Sequence, residues 1–126
     1  MTATLEHINL TVRDPKLTAA WLERVFGWET RWEGAAMNAG YTVHVGDAET
    51  YLALYAPQAA KASGESSYTT VGGLNHVGVV VDDLDAVEAR VREAGFKPKN
   101  HGDYEPGRRF YFHDRDGIEF EVVSYT

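Results

Sequence analysis

Cysteine is absent from all 126 residues, which excludes disulfides, a thiolate metal site and a cysteine nucleophile. Positive charge is scarce. Twelve Lys and Arg stand against 19 Asp and Glu, for a net charge of −7, and neither sign gathers into a long run. Nucleic-acid and anionic-membrane partners are therefore disfavoured. No apolar run approaches membrane-spanning length, and the opening Met1-Thr2-Ala3-Thr4-Leu5-Glu6-His7 lacks a basic stretch followed by an apolar one. A soluble, cytoplasmic protein is the expectation. With 44% hydrophobic residues over 126 positions, the chain suits one globular domain and is too short for a second independent one.

What is present is a repeat. Leu5-Glu6-His7-Ile8-Asn9-Leu10-Thr11-Val12-Arg13-Asp14 and Leu74-Asn75-His76-Val77-Gly78-Val79-Val80-Val81-Asp82-Asp83 share the pattern L-x-H-φ-x-φ-x-V-x-D, with φ aliphatic. The two histidines lie 69 residues apart, and Gly27-Trp28 is answered by Gly95-Phe96 at an offset of 68. A fixed long period marks a repeated structural unit.

Each unit reads as β-α-β-β-β. In the first, residues 5–12 alternate as a strand, Asp14 caps a helix with Pro15 in its first turn, and Gly27 ends it. Leu17, Trp21 and Val25 are expected on the helix's buried stripe, with Trp21 and Phe26 in the core. Strands follow near 28–33, 39–45 and 50–55. The second unit has a strand at 74–81, an Asp82-Asp83 cap, a helix carrying Leu84, Val87, Val91 and Ala94, and strands near 96–100, 108–113 and 118–124. The expected division is one domain over 1–126, with a first module at 1–56, a mobile connection at 57–73 and a second module at 74–126.

Side chains alternate between the faces of a strand. Ile8, Leu10 and Val12 therefore oppose His7, Asn9 and Thr11, and Val77, Val79 and Val81 oppose His76, Gly78 and Val80. Helices should cover the aliphatic faces, leaving both histidines on a second, partly polar face suited to a small ligand. Two imidazoles and a carboxylate there would form a 2-His-1-carboxylate metal site with open positions. Glu121 is the preferred carboxylate, although it shares its parity with Glu119; the repeat maps Glu121 back onto Ala53, so three protein ligands are expected instead of four. Tyr51 and Tyr55 share the parity of Ala53 and are candidate substrate contacts or simply fill the face, and Arg108 and Arg109 read either as contacts to an anionic substrate, Arg109 foremost, or as solvated surface arginines. The glycine-bounded loop 102–107 reads as a lid or a hairpin. His44 is read as a surface or structural residue, and His44, His101 and His113 have no repeat partner.

The chain resembles the vicinal oxygen chelate superfamily of glyoxalases, bleomycin-resistance proteins and extradiol dioxygenases. The resemblance is carried by the phrases at His7 and His76, by Trp21-Leu22-Glu23-Arg24-Val25-Phe26-Gly27, and by Phe110-Tyr111-Phe112-His113-Asp114-Arg115-Asp116-Gly117-Ile118-Glu119-Phe120-Glu121. It implies an α+β fold of two paired βαβββ modules, a curved mixed sheet with helices outside, and a divalent metal held by His7, His76 and Glu121. Fe(II) or Mn(II) is favoured, and Zn(II) or Ni(II) also fits. The implied substrate is a small molecule with adjacent oxygens, and a homodimer is expected. An extradiol dioxygenase is the leading expectation, with His101 as acid-base group and Tyr111 as hydrogen-bond donor. The alternatives are a glyoxalase-type lyase or isomerase, a fosfomycin-resistance-type thiol transferase, and a non-catalytic drug-binding protein.

Overall fold

The computed structural model describes residues 2–62 and 64–126. They form two compact units, residues 1–61 and 62–126. The first holds β1 (His7–Thr11), α1 (Pro15–Phe26), β2 (Glu29–Ala36), β3 (Gly40–Gly46) and β4 (Tyr51–Ala56); the second holds β5 (Val77–Val80), α2 (Leu84–Glu93), β6 (Lys99–Tyr104), β7 (Gly107–His113) and β8 (Glu119–Ser124). The sheets have orders β1-β4-β3-β2 and β5-β8-β7-β6. In each, the first and last strands run parallel and the remaining pairs antiparallel. The fold is α+β, with one helix to each mixed four-stranded sheet, and the βαβββ order of both units agrees with the sequence.

The helices form where capping chemistry permits. Asp14 and Asp83 each accept the backbone N–H three residues on, from Leu17 and Ala86 respectively, satisfying one of the donors that a helix start leaves unpaired. Helix α1 stops at Gly27, whose φ of 72° is the left-handed conformation that only glycine adopts cheaply. Its buried stripe runs through Thr18, Trp21, Leu22 and Val25, and Leu17 is exposed, so the helix is rotated from the Leu17-centred stripe expected.

Helix α1 packs on β3 and β4, where Val43, Val45, Leu52 and Leu54 share one face. The second unit fills the same role with aromatic rings: Phe110, Phe112 and Phe120 are fully buried beside Val91 and Val122, and Phe112 stacks on Phe120 with centroids 5.3 Å apart. Among the described residues, no helix is long and apolar enough to cross a membrane.

Two connections take definite forms. Residues 102–107 form a tight β6–β7 hairpin rather than a lid, with Tyr104 paired to Gly107. Within the expected mobile connection, residues 66–73 fold on themselves: Ser66 O accepts from the N–H groups of Thr69 and Thr70, and Thr70 O from that of Gly73. Ser63 lies outside the described residues.

Candidate metal centre

In the second unit, register decides which side chains share the face turned away from α2. Gly78 pairs with Glu121, Glu121 with Tyr111, and Val123 with Arg109, so Glu121, Tyr111 and Arg109 lie together. His76 directly precedes β5 and joins them. Its Nε2 is 3.0 Å from Glu121 Oε1, and its ring meets that of Tyr111 edge-on at 5.8 Å. Arg109 donates to the other carboxylate oxygen, Glu121 Oε2, at 2.8 Å. Glu119 shares the face but is turned to a different partner, the hydroxyl of Tyr68.

The pair is a hydrogen-bonded imidazole–carboxylate contact whose spacing is also compatible with two donors to one ion. Two atoms each about 2.1 Å from one ion and roughly at right angles stand about 3 Å apart, which is the spacing of His76 Nε2 and Glu121 Oε1. The far side of the imidazole is also provided for. His76 Nδ1 is 2.7 Å from Asn75 Oδ1, so the imidazole is bracketed by Asn75 at one nitrogen and Glu121 at the other. The first unit repeats the device, with His7 Nδ1 donating to Glu6 Oε1 at 2.9 Å. Glu6 and Asn75 both occupy the x of L-x-H, the one position of that phrase whose role the sequence reading left open. Among the described residues, no three His, Cys, Asp or Glu side chains come close enough together to hold an ion.

Burial raises the Tyr111 hydroxyl above its ordinary value, and the charge of Glu121 adds to this, so Tyr111 stays a hydrogen-bond donor at neutral pH. Burial, followed by the neighbouring charge of Glu121, likewise raises the Glu119 carboxyl. The bond to Glu121 is the largest cause raising Arg109.

On the corresponding face of the first unit, His7 pairs with Tyr51 and Asn9 with Ala53, while His44 stands opposite Ala53. His7 stacks on Tyr51 at 4.9 Å, Tyr51 on His44 at 4.7 Å, and His44 meets Trp32 at 5.2 Å. The Arg31 guanidinium lies 4.6 Å from the centroid of Tyr51. Consecutive residues 31 and 32 reach one face because the strand bulges between Thr30 and Trp32. Burial lowers the pKa of His44, and the charges of His7 and Arg31 push the same way against the weaker pull of Glu6. His44 reads from the sequence as a surface or structural residue; the β3–β4 register, which periodicity does not give, sets its place opposite Ala53.

The remaining candidates are placed as follows. His101 lies on the helix-covered side of its sheet, its Nε2 2.9 Å from Glu88 Oε2 of α2 and its ring 6.0 Å from Phe110, so it is not brought to Glu121 and His76. Tyr55 is tied to the β2–β3 hairpin, donating to Met37 O and accepting from Asn38 Nδ2, both at 3.1 Å. Arg108 donates to Asp85 at 3.0 Å. His113 pairs with Glu119 in register and its pKa is lowered by burial and by Lys99.

The sequence profile of the glyoxalase/bleomycin resistance protein/dioxygenase superfamily matches residues 4–122. The chain belongs to that superfamily. Superfamily structures share its fold across nearly its whole length. A glyoxylase/bleomycin resistance protein/dioxygenase domain from Frankia sp. EAN1pec superposes with a TM-score of 0.84 at 21% identity, covering 100% of both chains. The fosfomycin resistance protein FosX from Listeria monocytogenes, in a complex with Mn(II) and sulfate, gives 0.77 at 23% identity over 100% of this chain and 95% of its own. A glyoxalase family protein from Enterococcus faecalis gives 0.75 at 18%, covering 95% and 96%. No curated protein matches the chain.

Proposed function

We propose that this superfamily member is a divalent-metal-dependent enzyme that takes a small substrate through two adjacent oxygens, with His7, His76 and Glu121 as ligands. The 3.0 Å approach of His76 Nε2 to Glu121 Oε1 supports this most directly, because it matches two donors of one ion. The ion would act as a Lewis acid, stabilising negative charge as it develops on a substrate oxygen. Mn(II) or Fe(II) is the preferred ion and Zn(II) or Ni(II) the alternative; the FosX relative is described with Mn(II). Asn75 and Glu6 hold the imidazoles in the ligating tautomer. Tyr111, kept protonated by burial and by Glu121, donates a hydrogen bond to the substrate.

Within the superfamily, the expectation of extradiol ring opening leaned on His101 as acid-base group, and His101 is engaged with Glu88 on the helix side. Addition to or elimination from an oxygenated substrate, which does not call on His101, is therefore favoured over O₂-dependent ring cleavage. Ala53 at the fourth ligand position points to a three-ligand member rather than to a four-ligand glyoxalase. A second reading has support in the first unit: the ring row ending at Trp32, which is 53% exposed, suits a planar drug held by stacking.

The test is a substrate panel with Mn(II)-loaded protein: fosfomycin with water or thiol, a glutathione hemithioacetal, and catechols with O₂ uptake followed. Turnover of the epoxide, lost in Glu121→Gln, is expected; turnover of the hemithioacetal or of a catechol instead would overturn the choice of reaction and leave the metal dependence standing. No turnover of any member, with a planar aromatic drug bound equally well by apoprotein and Mn(II)-loaded protein, would establish sequestration instead.

A further inference from the structure

Glu121 has two oxygens, and the structure gives them separate duties. Oε1 faces His76 Nε2 at 3.0 Å, while Oε2 accepts from Arg109 at 2.8 Å. Both the Arg109 and Glu121 side chains are largely covered, at 13% and 14% exposed. The guanidinium is held from its other side as well, lying 5.0 Å from the centroid of Tyr104. Tyr104 can lie there because residue 102, the register partner of Arg109, is glycine: a Cβ on Gly102 would come within 2.6 Å of the Tyr104 ring. Arg109 Nε is buried and makes no hydrogen bond among the described residues. The guanidinium is therefore set between Glu121 and the Tyr104 ring while its buried Nε, one of five donors, goes without an acceptor. A largely buried ion pair contributes little net stability over an apolar pair of the same volume, so sheet packing alone does not account for this arrangement beside His76.

We propose that Arg109 is a positioning residue that occupies Glu121 Oε2 and so restricts Glu121 to binding the metal through Oε1 alone. The inference rests on the metal-site reading above. Its chemical consequence is one more coordination position on the ion. A carboxylate free to bind through both oxygens fills two positions, whereas one whose second oxygen is bonded to a guanidinium fills one. That position would be open to water or to a substrate oxygen when an ion is bound, which would suit a ligand that must bring two adjacent oxygens to it. Arg109 was expected to meet the substrate; the geometry instead makes it act through Glu121.

The probe is Mn(II) itself, in the full chain. Metal stoichiometry and the number of exchangeable inner-sphere waters, read from water-proton relaxation, are measured for the wild type, Arg109→Met and Arg109→Lys, with thermal unfolding as the folding control. The expected result is equal stoichiometry in all three, a loss of about one inner-sphere water in Arg109→Met as Oε2 turns to the ion, and a wild-type water number in Arg109→Lys, which keeps a cationic N–H for Oε2. If Arg109→Met does not fold, Arg109→Gln, whose shorter arm ends short of the carboxylate, replaces it. The same water number in wild type and Arg109→Met, with Mn(II) bound to both, overturns the role of Arg109 and leaves the metal site standing. Failure of the wild type to bind any of Mn(II), Fe(II), Zn(II) and Ni(II) overturns both.

Discussion

Removing the side chain of Asn75 tests how far the metal site depends on groups that never touch the ion. Asn75 Oδ1 stands 2.7 Å from His76 Nδ1. Without it the ring is free to turn, and the proton can move to Nε2, the atom that faces Glu121 at 3.0 Å. Partners of this kind are worth about 10- to 100-fold in metal affinity, or about 1.4 to 2.7 kcal/mol. Asn75→Ala should therefore weaken Mn(II) binding by that factor in a competitive chelator titration, with unchanged stoichiometry at saturation. In the first unit, Glu6→Gln should bind almost as the wild type and Glu6→Ala should resemble Asn75→Ala, since an amide oxygen can still accept from His7 Nδ1, now 2.9 Å from the carboxylate. Unchanged affinity in both Asn75→Ala and Glu6→Ala would refute the reasoning, because the imidazoles would then need no outer partner.

Other outcomes follow from the placement of individual groups. Glu119→Gln should leave metal content intact while Glu121→Gln lowers it. Because burial raises the Glu119 carboxyl, the folded state holds its proton more tightly than the unfolded chain, so wild-type stability should fall as pH rises upward from the ordinary value of 4.5, and Glu119→Gln should lessen that fall in pH-dependent urea unfolding. His44 has the opposite sign. Its lowered pKa means that the unfolded chain binds the extra proton, so stability should climb as pH rises towards 6.5, and His44→Gln should flatten the climb. Burial alone would raise the Glu88 carboxyl, but its bonds from His101 and Arg92 hold it below the ordinary value. His101→Ala should accordingly cost about 1 kcal/mol of stability near neutrality and leave metal content unchanged. Phe112→Ala, which removes a fully buried ring, should cost about 3 to 5 kcal/mol in the same unfolding assay.

Much of the fold was legible because local chemistry and global pattern agree. The L-x-H phrase, the Asp caps and the glycine stops each fix one step of β-α-β-β-β, and the repeat states the plan twice. The alternation that put Glu121 on the same face as His76 also held. Parity failed wherever the chain breaks its own period. His101 lies between Lys99 and Gly102, where the register shifts, beside Asn100 with a φ of 54°, a left-handed conformation that asparagine tolerates. That irregularity sends His101 to the helix side, and nothing in the composition of the segment announces it. The bulge at Thr30–Trp32 similarly brings Arg31 and Trp32 to one face. Leu17 was misplaced for a different reason: Thr18 and Ala19 are small enough to approach the sheet, so the helix turns them inward and leaves the leucine outside. The partners of Glu121, Arg109 and Tyr111, depend on the β7–β8 register, which only tertiary pairing sets.

The most direct measurement is metal content per chain after growth or reconstitution with Mn(II), Fe(II), Zn(II) or Ni(II). About one ion per chain is expected for the wild type, His101→Ala and Glu119→Gln. Its loss is expected in His7→Ala, His76→Ala and Glu121→Ala. Full occupancy in those three variants, or no bound ion in the wild type with any of the four metals, would contradict the metal centre.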